Sequence, residues 1–397
     1  MTTTGKCPFE HIHDLAEEQQ QIAETAELTV KLLDKRYAPP KQMLRGVHPK
    51  SHGCVNASFS INNDLPPELQ VGLFATPGKT YSAIIRFSNA EALVDKPDLN
   101  EDGEHGSRGM AIKIFDVGGD VLQTDGNANN QDFLMINQPV FAFANMRDYL
   151  RLNRILDQDK DIPNRFFAPL QLNSSSLTEE QKRHILDYIE AENITPEDIQ
   201  HMAATAAIVN GIKTSKITPS VGNPLGAQYF SAAPFMFGDN KVMKFSAKPI
   251  APVPPLSPPP APAQDYLRAA LTETMHGEES IEFDFMLQIR EDISDVDLEI
   301  ENASTHWPEN AFPFVKVAKI TIEAPQAEVT SASHVSKCEN LVFTPWHALV
   351  EHQPIGSINR LRRAVYQASA EHRLQANSPT LPFFIRWIEN AFKFLFG

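Results

Sequence analysis

Arg362, Tyr366 and Arg373 leave a helix through one stripe if the stretch Arg362-Arg363-Ala364-Val365-Tyr366-Gln367-Ala368-Ser369-Ala370-Glu371-His372-Arg373 is helical. At about 100° per residue the two arginines fall ~40° and ~20° round from the phenol. A rise of ~1.5 Å per residue puts Arg362 ~6 Å from Tyr366 along the axis and Arg373 ~10 Å beyond it, close to the distance from the centre of a porphyrin to its edge. Such a set suits an iron phenolate with an anionic ring substituent anchored further along. A phenol with an ordinary pKa of ~10 needs a neighbouring cation to exist as the anion at neutral pH, and Arg362 lies one turn away. The same spacing also describes a solvated helix face with a half-buried ring, so the rest of the sequence decides between the two.

Four further motifs accompany it. They are Arg45-Gly46-Val47-His48-Pro49-Lys50-Ser51-His52-Gly53, Ile85-Arg86-Phe87-Ser88, Arg108-Gly109-Met110-Ala111-Ile112-Lys113 and Asn137-Gln138-Pro139-Val140-Phe141. In this order, and ending on the Arg-x-x-x-Tyr helix with an Arg seven residues later, the chain resembles the catalase family from about Arg45 to Arg373. The family opens its core with Arg-x-Val-His-x-Lys-x-x-Gly and continues with Arg-Phe-Ser, Arg-Gly-Phe-Ala-Val-Lys and Asn-Asn-Thr-Pro-Val-Phe. The resemblance implies an α+β fold, a closed antiparallel β-barrel with surrounding helices and a haem-bearing C-terminal helix. It covers the barrel and that helix, without the large C-terminal helical domain of longer catalases, and implies haem b as cofactor.

By the same resemblance, Tyr366 is the iron ligand and His48 the distal base that moves a proton between the two oxygens of a peroxide, with Ser88 fixing its tautomer. Arg362 would favour the phenolate, Arg45, Arg86 and Arg373 would neutralise the propionates, and Phe141 would line the cofactor. Asn137 stands for the distal amide, but Ile136-Asn137-Gln138-Pro139 departs from Asn-Asn-Thr-Pro: counted back from Pro139, the family's first Asn becomes Ile136. Either Asn137 reaches in through a shifted backbone or the site lacks its amide. His52 is a rival to His48 that spacing alone leaves open. Because Arg45 and His48 are three apart, a regular strand would send them to opposite faces, so the backbone should leave β geometry at His48, with Pro49 marking the break.

The activity implied is consumption of hydrogen peroxide or organic and lipid hydroperoxides, as a catalase or peroxidase working through ferryl haem. Two alternatives stand beside it: rearrangement of a fatty-acid hydroperoxide, as in allene oxide synthases and hydroperoxide lyases, and a non-catalytic haem carrier or sensor. Val47 favours dismutation, since rearranging relatives can carry Thr before the His.

A net charge of −15 and a pI near 5.3, with no basic block, exclude a nucleic-acid partner. The 42% hydrophobic and 21% charged residues describe a soluble globular chain. Cys7, Cys54 and Cys338 have no short spacing, so neither zinc nor a disulfide framework is indicated, and a reducing, cytoplasmic home is expected. The polar N-terminus carries no secretory signal pattern.

The elements that must position these residues follow from periodicity. Residues 14–36 read as a helix with acidic residues early and basic ones late, forming an N-terminal helical segment, 1–40. A barrel core, 41–376, follows, with strands at 81–88, 110–117, 226–249, 281–290 and 314–323. A helical insertion occupies 144–215, with a helix start at Thr195-Pro196-Glu197-Asp198, and a proline-rich extended connector spans 249–263. Alternation along 81–88 puts Arg86 and Ser88 on one face with Ser82 and Ile84, a polar pair expected inside the barrel around a polar ligand. Residues 377–397 form an amphipathic aromatic tail, too short and too charged to span a bilayer. Three placements are open to it: on its own domain, against a second copy in a homo-oligomer, or in a membrane interface as a peripheral contact.

Overall fold

Alternation of apolar and polar side chains along antiparallel strands builds a wall with one dry face, and in this chain the wall closes on itself. The computed structural model describes residues 7–90, 98, 106–126, 128–158, 163–260 and 263–378. Helix α1 (Leu15–Arg36) is capped by the Asp14 carboxylate, which accepts from the Ala16 and Glu17 N–H groups. Four strands follow: β1 (Ser51–Ile61), β2 (Thr80–Asn89), β3 (Arg108–Ile114) and β4 (Gln131–Ile136). The helical excursion comprises α2 (Met146–Gln158), α3 (Glu179–Ala191) and α4 (Pro196–Lys213). Capping boxes start α3 at Thr178 and α4 at Thr195, the latter with proline in the first turn.

The sheet resumes with β5 (Tyr229–Phe230), β6 (Phe235–Met236) and β7 (Val242–Pro249), then after α5 (Tyr266–His276) with β8 (Ile281–Arg290) and β9 (Val315–Ile322). Helices α6 (Ala332–Asn340) and α7 (Ser357–Asn377) complete the described elements. Strand order is β5-β4-β3-β2-β1-β9-β8-β7-β6, and β5 also pairs with β7, so eight strands form a closed antiparallel barrel with β6 appended to β7. The expected α+β barrel with helices around it is thus the fold. The seam is short: β5 meets β4 through Ile136 and Phe230, and meets β7 through Tyr229–Ala247 and Phe230–Ser246. Helix α5 has no counterpart in the sequence reading, where the proline-rich stretch before it masks its start.

Alternation sorts the side chains in a way that corrects one expectation. Val55, Phe59, Tyr81, Ala83, Ile85, Phe87, Phe133, Phe245 and Phe285 fill the barrel interior, with Phe133 and Phe285 ring centroids 4.7 Å apart. Arg86 and Ser88 are therefore on the outer face of β2, not inside. An eight-stranded barrel leaves an interior just wide enough for its own side chains, and aromatic residues occupy it here. Any large ligand must lie against the outer wall, where helices can cover it.

That cover is fastened in two ways. Arg360 on α7 binds Glu10, Glu18 and Glu301 at 2.7, 2.6 and 2.9 Å, tying the start of α7 to α1 and to the stretch before it. A disulfide joins Cys54 on β1 to Cys338 on α6, which overturns the expectation of unbridged cysteines. The two lie 284 residues apart, but α6 packs on β1 and both cysteines share a small buried cluster with Ile84, Leu134 and Phe343. Sequence spacing cannot report a contact made by tertiary packing. The cysteine argument for a reducing compartment loses its premise. Among the described residues no helix is long and apolar enough to cross a membrane. Residues 379–397, and with them nearly all of the aromatic tail, lie outside the described residues.

Alkylation under denaturing, non-reducing conditions is expected to label one thiol per chain, Cys7, and all three after reduction, as read by mass spectrometry. Cys54→Ser should lower unfolding free energy by about 2–4 kcal/mol in a urea titration. Labelling of three thiols before reduction would remove the tether.

Candidate functional site

The segment from Met43 to His48 is led along α7 by side-chain contacts. Asn377 accepts from Met43 N–H at 3.0 Å and donates to Met43 O at 2.8 Å, and Ser369 Oγ accepts from Gly46 N–H at 3.1 Å. His48 then adopts φ +56°, the left-handed region rarely used by side-chain-bearing residues, and β1 begins only at Ser51. The break expected at His48 is where the regular strand fails. It turns the imidazole towards β2 and β3, where His48 Nδ1 lies 3.0 Å from Ser88 Oγ.

Ser88 and Gly109 are register partners on β2 and β3. A Cβ at residue 109 would sit 2.4 Å from His48 Nδ1 and 2.8 Å from Ser88 Oγ, so only glycine admits the ring. Burial lowers the His48 pKa to about 3, helped by the positive charges of Arg86, Arg362 and Arg45. The imidazole is therefore neutral at any ordinary working pH. His52, the rival, is buried away from the cavity, with Nε2 3.0 Å from Asn89 Oδ1.

A cavity of about 510 Å³ lies between the outer wall of the barrel and α7, closed by α2 and by residues 341–343. Arg45, His48, Arg86, Ser88, Phe141, Arg362, Tyr366 and Arg373 all line it, so eight of the nine residues singled out from sequence meet there. On α7 the Arg362 guanidinium lies 5.2 Å from the centre of the Tyr366 ring, with Nη2 3.5 Å from the phenol oxygen. Tyr149 from α2 also lines the cavity, its phenol pushed up to about 12 by burial and by Tyr366.

Asn137 is the exception. Its Oδ1 accepts from Arg108 N–H at 2.6 Å, which folds the amide back onto the edge of β3 and away from the cavity. Gln138 lines the cavity instead, buried and with Oε1 lacking a hydrogen-bond partner. The sequence reading passed over it because, counted from Pro139, it falls where the family has Thr. An amide beside the expected one was the signal that could have found it.

A second residue missed from sequence is Glu339. Its carboxylate pairs with Arg45 and Arg86, Arg86 Nε at 3.2 Å, while Arg373 donates to the Glu339 and Leu341 carbonyls. Burial would raise the Glu339 pKa, but Arg86, Arg45 and Arg373 bring it down to about 2. The buried arginines thus have an anionic partner within the chain, one the sequence reading had not named. Three guanidiniums against one carboxylate leave an excess of two positive charges. The strain shows in Arg45, whose pKa burial and the neighbouring Arg86 and Arg373 hold well below the usual value. It shows again in Arg373, 3% exposed with Nε unpartnered. A flat ligand carrying two carboxylates would supply the missing charge and the missing acceptor. The residues present therefore fit a haem with its two propionates.

No protein-family model matches the chain. Catalase of Staphylococcus epidermidis is 27% identical over 126 residues, 32% of this chain and 21% of that protein. Catalase of Staphylococcus warneri is 25% identical over 170 residues, 43% of this chain and 29% of that protein. The chain thus spans less than a third of the length of these curated relatives. Among solved structures, a fungal catalase superposes with a TM-score of 0.53 at 14% identity, covering 85% of this chain and 60% of that one. Catalase A from Saccharomyces cerevisiae gives 0.53 at 16% identity, covering 84% and 62%, and a bacterial catalase gives 0.52 at 16%, covering 95% and 64%. The chain has the catalase fold and is similar in sequence to catalases over 32–43% of its length.

Acid should destabilise the protein through its buried imidazoles. Burial holds His48 at about 3 and His352 at about 4, against 6.5 for an exposed ring, so the unfolded chain binds more protons from about pH 6.5 downwards. Stability falls as pH drops through that window, by about 2 kcal/mol per imidazole at pH 5. Glu339, lowered from 4.5 to about 2, adds a loss of the same sign at still lower pH. The urea midpoint of cofactor-free protein is expected to decline from pH 7 to pH 5, and His352→Gln to flatten the decline; a midpoint independent of pH would contradict the burial of these rings.

Proposed function

We propose that this chain is a haem b-dependent peroxide oxidoreductase of the catalase type, acting on hydrogen peroxide or organic hydroperoxides. The observation that carries the reading is one cavity lined by a neutral imidazole on the barrel side, a phenol with its guanidinium on α7, and a buried excess of positive charge at the rim. Sequence relatives named catalase, from three Staphylococcus species, support it. Bound there, haem would supply the redox-active iron at which the O–O bond is cleaved.

Each residue then has a task. Tyr366 would ligate the iron as phenolate, and Arg362 stabilises that anion as a permanently charged neighbour. Arg45, Arg86 and Arg373, oriented by Glu339, would take the two propionates, and Phe141, which lines the cavity, would pack on the ring. His48 accepts a proton from one peroxide oxygen and returns it to the other. Its low pKa keeps it free to accept, and Ser88 at Nδ1 fixes its tautomer and orientation. Gln138, rather than Asn137, provides the amide that holds the peroxide, since its buried side-chain oxygen lacks a partner in the wall of the cavity.

Tyr366→Phe is expected to abolish haem binding or shift its absorption spectrum grossly. His48→Ala should keep the haem spectrum and slow peroxide cleavage by orders of magnitude. Oxygen evolution from hydrogen peroxide by the ferric protein supports dismutation. Epoxide or aldehyde products from a lipid hydroperoxide would shift the reading to rearrangement, and silence with both substrates to a carrier.

Gln138→Leu, with Asn137→Leu as comparison, separates the two amides. Loss of about tenfold or more in kcat/KM for the first, with haem retained, is expected. A larger loss in the second, without loss of folding, would return the role to Asn137.

A further inference from the structure

The stretch ahead of α1 crosses the surface turn Asp297–Glu301. His11 and His13 are two apart there, the spacing that sends both side chains of an extended segment to one side. His11 Nδ1 lies 3.1 and 3.2 Å from the two carboxylate oxygens of Asp297, and His13 Nε2 lies 3.1 Å from the first of them. The two imidazoles are 4.0 Å apart, and one ligand atom from each of the three residues falls within 4.8 Å of the others. We propose that His11, His13 and Asp297 form a divalent transition-metal site, with zinc as the ion it takes.

Geometry, donor chemistry and charge all favour it. Bonds of ~2.0–2.1 Å around a tetrahedral ion set neighbouring donor atoms ~3.4 Å apart, so the two His–Asp separations need open by only a few tenths of an ångström, while the two imidazole nitrogens already lie within 4.8 Å of each other. Two imidazole nitrogens disfavour calcium and magnesium, which prefer oxygen, and suit zinc. Three protein ligands leave one position for water, which the exposure of the cluster permits. Asp297 also sits in an acidic neighbourhood with Asp295, Glu299 and Glu301. The nearby cations are committed elsewhere: Arg290 pairs with Glu299, and Arg360 with Glu10, Glu18 and Glu301. Among the described residues no lysine or arginine reaches Asp297, whose charge meets only the two imidazoles.

The ion would clasp residues 11–13 to the turn at 297. That clasp lies next to the start of α7. Glu10 accepts from Gly356 N–H at 3.1 Å, and Glu301 accepts from His11 N–H at 2.9 Å while pairing with Arg360. Cys7 and Phe9 pack on the cluster containing Met236, Trp307 and Ile355. The site is independent of the cavity and of its chemistry.

The test is calorimetric titration of untagged, haem-loaded full-length protein, stripped with a chelator, using zinc chloride. One equivalent is expected to bind saturably. His11→Ala/His13→Ala and Asp297→Asn should each weaken binding at least about tenfold with the circular dichroism spectrum unchanged. His184→Ala, at an exposed histidine elsewhere, should leave it as it is. Zinc should also protect His11 and His13 from diethylpyrocarbonate. Absence of saturable binding, or binding that survives the double substitution, would overturn the site.

Discussion

Three guanidiniums buried around a single carboxylate set the terms on which the rest of the molecule is organised. Arg45 comes from the segment before β1, Arg86 from β2 and Arg373 from the last turns of α7, and Glu339 ends α6. Four distant parts of the chain are thus drawn to one point by charge, and the point is not electrically closed. Charges removed from water this far are tolerated only with partners, and one carboxylate cannot serve three cations. Packing makes the cluster possible, since the disulfide at Cys338 holds the residue next to Glu339 against β1. What packing leaves unbalanced, a dianionic ligand can complete.

The imidazole across the cavity obeys a different constraint. His48 is held by shape: a left-handed backbone, a serine on the neighbouring strand, and a glycine whose missing side chain makes room for the ring. A non-glycine residue in that region of conformational space carries a modest cost, which the surrounding structure must impose. The cost falls at a place where orientation of one side chain matters more than local comfort. Gly109 and Ser88 are opposite one another because β2 and β3 are in register, so the ring's seat is a property of the sheet rather than of a loop.

Much of this was legible in the sequence, and for specific reasons. The stripe of Arg362, Tyr366 and Arg373 is a local property of one helix, and helical periodicity reports it faithfully. The break at His48 was legible because two residues three apart cannot share a face of a strand, and Pro49 offered the place for it to fail. Alternation along β2 paired Arg86 with Ser88 correctly but could not say which side of the wall faced the barrel axis. That depends on closure, which no single strand encodes. Glu339 and the Cys54–Cys338 bond were invisible because each joins segments hundreds of residues apart through packing. Gln138 was hidden by alignment to a motif it only half follows: counting placed the amide at Ile136, the nearest asparagine was Asn137, and the side chain of Asn137 is spent on the backbone of Arg108.

The shortness of β5 has a mechanical meaning. A tube of sheet is as strong as its weakest join, and here β4 is stitched to β5 through Ile136 and Phe230, just before the chain enters Asn137 and Gln138. Strands joined along most of their length separate only when the whole tube unfolds, whereas a short join parts at lower free energy. The wall is thus thinnest where it borders the cavity, so a local opening of the tube at this join would reach Gln138 well before it disturbed the long pairing of β1 with β2.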